Sequence, residues 1–374
     1  MNKLWSWGIG ALVILLVVFL IIISFSPKET GIIKTGVIAP LTGVRADAGE
    51  YISNAIAIAK EELDSNKDKK YKLEFVFEDS QYKPDIAVTV ANKLLDYDNV
   101  NYIIGPSGSS EVLAVAPITE EQKKILMIPG AQTPEISDAG EYIFRLMHNS
   151  AQEAPIFAKF VAKNMKSDTI HLLVINTAFG SGYLKYFVPA LEAEGKKVGL
   201  IEYFESSEMD FKQPLAKIKS ENPTDIFPMS TAKQFGTILV QAKEIDLNAQ
   251  FYMVGTEGPD LVKIAGFLVE GVKYPYSYDA LSSDDSKVKV FYNNYLNKFK
   301  SEPDTIAANT YDAVMLLSNC FEKFGDKVEE VKTCLYNTKN YFGVSGTFSI
   351  DSKGDAVKKI IIKTVKDGKF VKYE

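Results

Sequence analysis

A chain of 374 residues with 46% hydrophobic and 24% charged residues can bury a full core, and at this length two lobes are expected. A net charge of −6 without long basic runs argues against a nucleic-acid partner; Lys67-Asp-Lys-Lys70 reads as a solvated turn. The only histidines, His148 and His171, have no metal-ligand spacing to each other or to Cys320 and Cys334, so no metal site is expected.

Residues 4–25 carry no charge and are dense in Leu, Ile and Val, which is long enough to span a bilayer. An uncleaved anchor is the expectation, because the run exceeds the about 7–15 apolar residues of a signal peptide. A cleaved signal is the alternative: Ser24 and Ser26 form a small-x-small pair, although Pro27 would hinder cutting. No cysteine follows the apolar run, which excludes a lipoprotein anchor. Lys3 ahead of the span favours a cytoplasmic N-terminus and places the chain from about Gly31 onward outside.

Strand and helix patterns then alternate. Residues 32–39 read as a strand and 49–66 as a helix with Ile52, Ile56, Ala59 and Leu63 on one face. Residues 71–78 follow as a strand and 85–97 as a helix. Two glycine-rich units come next, at 102–111 (Tyr-Ile-Ile-Gly-Pro-Ser-Gly-Ser-Ser-Glu) and 125–135 (Ile-Leu-Met-Ile-Pro-Gly-Ala-Gln-Thr-Pro-Glu). A second series has helices at 151–164, 182–194, 211–220 and 233–245, and strands at 169–175, 198–204, 225–229 and 251–255. This βα alternation predicts parallel sheets covered by helices. Pauses near 145–150 and 274–278 divide it into two lobes. Helices are expected at 286–300 and 305–324, and the tail from 344 to 373 reads as antiparallel strands. Cys320 and Cys334 flank the turn Phe324-Gly-Asp-Lys327, a spacing that fits two adjacent helices. A disulfide is expected there in an extracytoplasmic location, with two buried thiols as the alternative.

No catalytic constellation is present: no G-x-S-x-G elbow, no Walker A, no G-x-G-x-x-G, no nucleophile–base pair. Enzymatic activity and a cofactor are therefore not expected. His171, within a buried-strand pattern, reads as a satisfied strand residue. Hydrogen-bonding groups collect instead where open α/β sheets place ligands, at the carboxyl ends of strands. Ser109 and Ser110 precede an apolar helix, so at least one should cap it. Thr133 repeats the arrangement on the neighbouring strand, and two adjacent helix-start loops can hold a carboxylate. Glu257, between Gly255 and Gly258 after a strand, is sited to receive an ammonium, or else is an exposed turn residue. Phe179 stands in a loop that should be polar and either covers an apolar group or packs beneath the loop.

These residues, in this order, resemble the type I periplasmic solute-binding proteins, in the leucine/isoleucine/valine-binding branch that serves ABC transporters. The resemblance runs from about Ile32 to the end, through Gly36-Val-Ile-Ala-Pro-Leu-Thr-Gly43, Ile103-Ile-Gly-Pro106, Ala116-Pro117 and Tyr341-Phe-Gly-Val-Ser-Gly-Thr-Phe-Ser349. It implies two Rossmann-like α/β lobes joined by three hinge crossovers and closing over ligand. After residues 1–30, lobe 1 would take 31–147 plus 278–340, and lobe 2 would take 148–277 plus 341–374.

By position, the resemblance implies that Ser109 and the Thr133 loop bind the α-carboxylate of an amino acid and that the Ala131 carbonyl meets its ammonium. Glu257 would pair with that ammonium from the opposite lobe, and Phe179 would pack over the ligand. Gln132 stands where the branch has a small residue, and Thr231 and Ala48 stand where it has aromatics, so the resemblance implies a roomier and more polar pocket. Arg45, at the same mouth, is expected as a solvated rim residue. The expected function is capture of a branched-chain or similar amino acid outside the cytoplasm and delivery to ABC permease subunits. The alternatives are a sensory ectodomain of the same fold and a binder of a non-amino-acid carboxylate or amide.

Overall fold

The computed structural model describes residues 31–254, 257–281 and 283–373. The expected N-terminal span lies outside these, and no helix among the described residues is long and apolar enough to cross a membrane.

The first lobe opens as β1 (Gly31–Ala39), α1 (Ala46–Ser65), β2 (Tyr71–Asp79) and α2 (Pro84–Asn92), which runs into a π turn at Lys93–Tyr97. It continues as β3 (Tyr102–Ile104), α3 (Ser109–Glu121), β4 (Ile125–Ile128), a 3₁₀ turn (Pro134–Asp138) and β5 (Ile143–Arg145). The strands form one parallel sheet in the order β2-β1-β3-β4-β5. Both faces are covered, so β3 and β4 are apolar without interruption. Val37, Ile104 and Met127 point toward α1 and its neighbours. Ile38, Ile103 and Leu126 point toward α2 and α3. Helix α1 starts three residues before the expected Gly49 because Ala48 joins Ile52, Ala55, Ile56 and Ala59 on the buried stripe.

The second lobe runs α4 (Ser150–Asn164), β6 (Thr169–Ile175), α5 (Ala178–Ala193), β7 (Lys197–Phe204), α6 (Lys212–Ser220), β8 (Asp225–Met229), α7 (Ala232–Glu244), β9 (Gln250–Phe251) and α8 (Pro259–Ala265). Its sheet is parallel in the order β7-β6-β8-β9. An aromatic cluster of Phe157, Tyr183, Phe187 and Phe227 packs between α4, α5 and this sheet. His171 sits buried in β6, where its Nδ1 accepts the Leu200 amide at 3.1 Å, and burial lowers its pKa.

The remainder comprises β10 (Lys273–Tyr276), α9 (Ser286–Phe299), α10 (Thr305–Phe324), α11 (Val328–Tyr336), β11 (Tyr341–Gly343), β12 (Gly346–Ile350), β13 (Ala356–Val357), β14 (Ile361–Lys366) and β15 (Lys369–Lys372). Strands β11-β12-β13 and β10-β14-β15 form two antiparallel ribbons. Helix α10 is buried almost all round against α1 and the first sheet, and a disulfide between Cys320 and Cys334 ties it to α11.

Residues 341–357, expected with the second lobe, pack against the first. Asp312 on α10 accepts the amides of Val344 and Ser345 at 2.8 Å each, and the Arg145 amide donates to Gly354 O at 2.9 Å. Where the chain leaves the first lobe, Arg145 is fully buried and bidentate with Asp355, at 2.8 Å from Nε and 2.7 Å from Nη2. Its Nη1 also donates to Thr133 O at 2.7 Å.

Candidate functional site

Strand ends from both lobes converge on one cavity of about 50 Å³. From the first lobe, β3 runs into Gly105, whose φ of +91° and position permit no side chain: a Cβ there would lie 2.0 Å from Ile38 O. The chain then turns through Ser107 and Gly108 into α3. Gly108 holds the capping position, and its amide donates to the Glu111 carboxylate at 3.0 Å.

The expectation that Ser109 or Ser110 caps this helix is therefore corrected. Glu111 reaches back to the backbone and leaves both hydroxyls for other partners. Ser109 Oγ accepts the amides of Gln132 and Thr133, each at 3.3 Å, and so keeps its own proton for an acceptor in the cavity. Ser110 Oγ accepts the Ala178 amide of the second lobe at 3.3 Å. Burial pushes the Glu111 carboxyl up to about 7.

The β4 loop brings Gly130, Ala131 and Gln132 to the same cavity, with Ala131 in the left-handed region at φ 61°. The Gln132 carboxamide is clamped from behind: its Nε2 lies 2.9 Å from His148 Nε2 and 3.5 Å from Glu153 Oε1, while His148 Nε2 is also bonded to Glu153. Thr133 stands behind the cavity wall, its hydroxyl donating to Glu135.

From the second lobe come Ile175, Phe179, Ser230 and Thr231. Phe179 lies on the first turn of α5, which starts at Ala178 and not at the expected Gly182, and it packs edge-on to Tyr183 at 6.1 Å. Thr231 caps α7, its Oγ1 accepting the Gln234 amide at 3.3 Å. Of the residues singled out in the sequence, Ser109, Ala131, Gln132, Phe179 and Thr231 thus share this cavity, and Ser110 and Thr133 lie next to it.

Arg45 corrects another expectation. It is 9% exposed, not a solvated rim residue. Its guanidinium lies 5.6 Å from the centre of the Tyr82 ring, and its Nε donates to Asp47 at 3.1 Å. Burial works against its charge, but Asp47 and Tyr82 outweigh that and hold its pKa above the ordinary arginine value. Arg45 Nη2, Ser107 Oγ and Ser230 Oγ are buried without hydrogen-bond partners among the described residues, and all three residues line the cavity. Buried polar atoms are nearly always paired, so three around one cavity point to a polar solute. Ser107, Tyr82 and Ser230 escaped the sequence reading, although each stands at the carboxyl end of a strand.

Glu257 lies elsewhere. It lines the adjoining cavities of about 480 and 220 Å³ and is absent from the walls of the one built around Ser109. Its carboxylate is held by Lys363 Nζ at 2.6 Å and by the Tyr274 hydroxyl at 2.6 Å. Burial raises its pKa, and Lys363 and Tyr274 pull the other way. Among the described residues there is no group of three or more His, Cys, Asp or Glu arranged to hold a metal.

The periplasmic binding protein family profile matches residues 32–369. The Leucine-, isoleucine-, valine-, threonine-, and alanine-binding protein of Pseudomonas aeruginosa is 27% identical over 330 residues, covering 86% of this chain and 87% of its own. Among solved structures, a leucine binding protein from Thermotoga maritima superposes with TM-score 0.83 at 26% identity, over 91% of this chain and 98% of that one. A solute binding protein of an ABC transporter from Rhodopseudomonas palustris, in complex with 3,4-dihydroxy benzoic acid, does so with TM-score 0.83 at 26% identity, over 91% and 95%. With two parallel α/β lobes meeting at a polar cavity and a family match along nearly the whole described chain, this protein belongs to the periplasmic binding protein family.

Proposed function

We propose that the chain is the extracytoplasmic solute-binding component of an ABC importer, taking a small carboxylate-bearing solute between its lobes and presenting it to permease subunits. The observation that carries this reading is the Ser109 hydroxyl, fixed by two backbone amides with its proton left for a ligand, at a cavity whose opposite wall is the second lobe. A ligand touching both walls stabilises the closed arrangement by its differential affinity for it. The names of the relatives support an amino acid, branched-chain or similar, as that solute. Residues 4–25 would tether the domain to the membrane, or be removed as a signal.

A second reading, a carboxylate that is not an amino acid, is favoured by the engagement of Glu257 with Lys363. A sensory role for the same binding domain would differ in its partner, not in its cavity. Thermal-shift titration of the chain with amino acids and simple carboxylates tests the proposal. A ligand that binds only the folded state at a hundred times its Kd stabilises by about 2.7 kcal/mol. The shift is expected to disappear in Ser109→Ala, and an unchanged response in that variant would refute the site.

A further inference from the structure

We infer that the solute is an organic carboxylate without a neighbouring ammonium, its charge met by Arg45. This rests on the proposed solute-binding role and narrows its ligand class.

The charge at the cavity is one-sided. Among the described residues, Arg45 is the charged residue lining it, and no Asp or Glu side chain is among its walls. The guanidinium uses Nε on Asp47 and leaves Nη2 buried and unpartnered. Ser107 and Ser230 contribute two further unpartnered hydroxyls from opposite lobes, and Ser109 keeps a free proton. One cationic N–H edge and three hydroxyls suit an anionic oxygen pair. Tyr82 and Phe179 supply aromatic walls, and Met147 and Ile306 aliphatic ones, so the body of the solute is apolar.

The carboxylate that the resemblance assigns to an ammonium lies outside this cavity and is already engaged. Lys363 Nζ sits 2.6 Å from Glu257, and the Lys363 side chain is only 3% exposed. Its other acidic neighbour, Asp279, is 3.9 Å away. For Glu257 to turn to a ligand ammonium, the buried lysine would lose its closest counter-charge, a costly exchange in a site of low dielectric. Lys363 thus keeps engaged the carboxylate that the family resemblance assigns to an ammonium.

Isothermal titration of the full chain in detergent, with acid and amino-acid pairs differing only in the ammonium, tests this: isocaproate against leucine, and hydrocinnamate against phenylalanine. At least one acid is expected to bind tenfold or more tightly than its amino-acid partner. Arg45→Gln should weaken that acid at least tenfold while leaving the far-ultraviolet spectrum unchanged. Should Arg45→Gln fail to fold, Ser230→Ala is expected to weaken the same acid several-fold. Tighter binding of leucine or phenylalanine than of the matched acid would overturn the inference and leave the solute-binding role standing. Absence of binding by all four would overturn both.

Discussion

Ser110 Oγ, at the start of α3 in the first lobe, accepts a 3.3 Å hydrogen bond from the amide of Ala178, at the start of α5 in the second. This contact joins the lobes beside the cavity without lining it, and Lys185 reaches Glu135 across the same seam at 3.4 Å. Gly182 lies at that seam as well. A Cβ there would come within 2.5 Å of Thr133 Oγ1 and 2.9 Å of Pro134 Cδ.

Gly182→Val is therefore expected to hold the lobes apart without touching a ligand. Affinity should fall about tenfold, equivalent to about 1.4 kcal/mol, and small-angle scattering should report a larger radius of gyration at saturating ligand. Unchanged affinity and an unchanged radius would show that the seam yields freely.

Two buried carboxyls, Asp304 and Glu111, should contribute stability that declines from acidic to mildly alkaline pH. Burial pushes Asp304 from 3.8 up to about 8, with its Oδ2 unpartnered among the described residues, and pushes Glu111 from 4.5 up to about 7. Both folded-state values are raised, so between these limits the folded chain holds protons that the unfolded chain has released. The stabilisation is complete below pH 3.8 and lost by about pH 8. Asp304→Asn keeps an oxygen to accept the Ala307 amide, now bonded at 2.9 Å, and should flatten the pH dependence of Tm above pH 5. At pH 8 it should gain on the order of 2 kcal/mol over the parent chain. A slope as steep as the parent's in Asp304→Asn would remove Asp304 as its source.

Breaking the pair at the lobe junction should be costly. Asp355→Ala strands the fully buried Arg145 guanidinium, and loss of one partner of a buried pair costs about 3–5 kcal/mol. Urea unfolding of the variant should show a midpoint lowered accordingly. A change below about 1 kcal/mol would mean that water replaces the carboxylate.

Reduction of the disulfide is expected to loosen the α10–α11 corner. Its sequence separation is 14 residues, for which loop-closure entropy gives about 3 kcal/mol. The Cys320→Ser/Cys334→Ser variant should lose several degrees of Tm, compared by calorimetry with the oxidised chain.

Most of the architecture was legible because it is written locally. Period-two and period-3.6 apolar patterns set β1 to β4, β6 to β8 and most of the helices between them, whereas the three-residue β5 fell at an expected pause; the carboxyl ends of those strands, where Ser109, Ala131, Gln132 and Thr231 stand, break at Gly, Pro and Ser. Spacing along the chain could not reveal what meets those loops from a distance. Arg45 reads as a rim charge until Tyr82 comes to lie against its guanidinium. Ser110 reads as a cap until Glu111 satisfies Gly108 and Ala178 arrives from the other lobe.

The same limit applies to Glu257 and to the tail. A carboxylate between glycines is free on paper, but Lys363 from β14, far along the chain, neutralises it in the fold. Residues 341–357 join the first lobe because Asp312 and Arg145 hold their backbone there. The sequence by itself determined most of the strands and helices and the loops that carry Ser109, Gln132 and Thr231, since these follow from local periodicity and turn chemistry. Tertiary structure alone decided which charges remain available to a ligand, because pairing between residues far apart in the chain depends on long-range packing that no local pattern encodes.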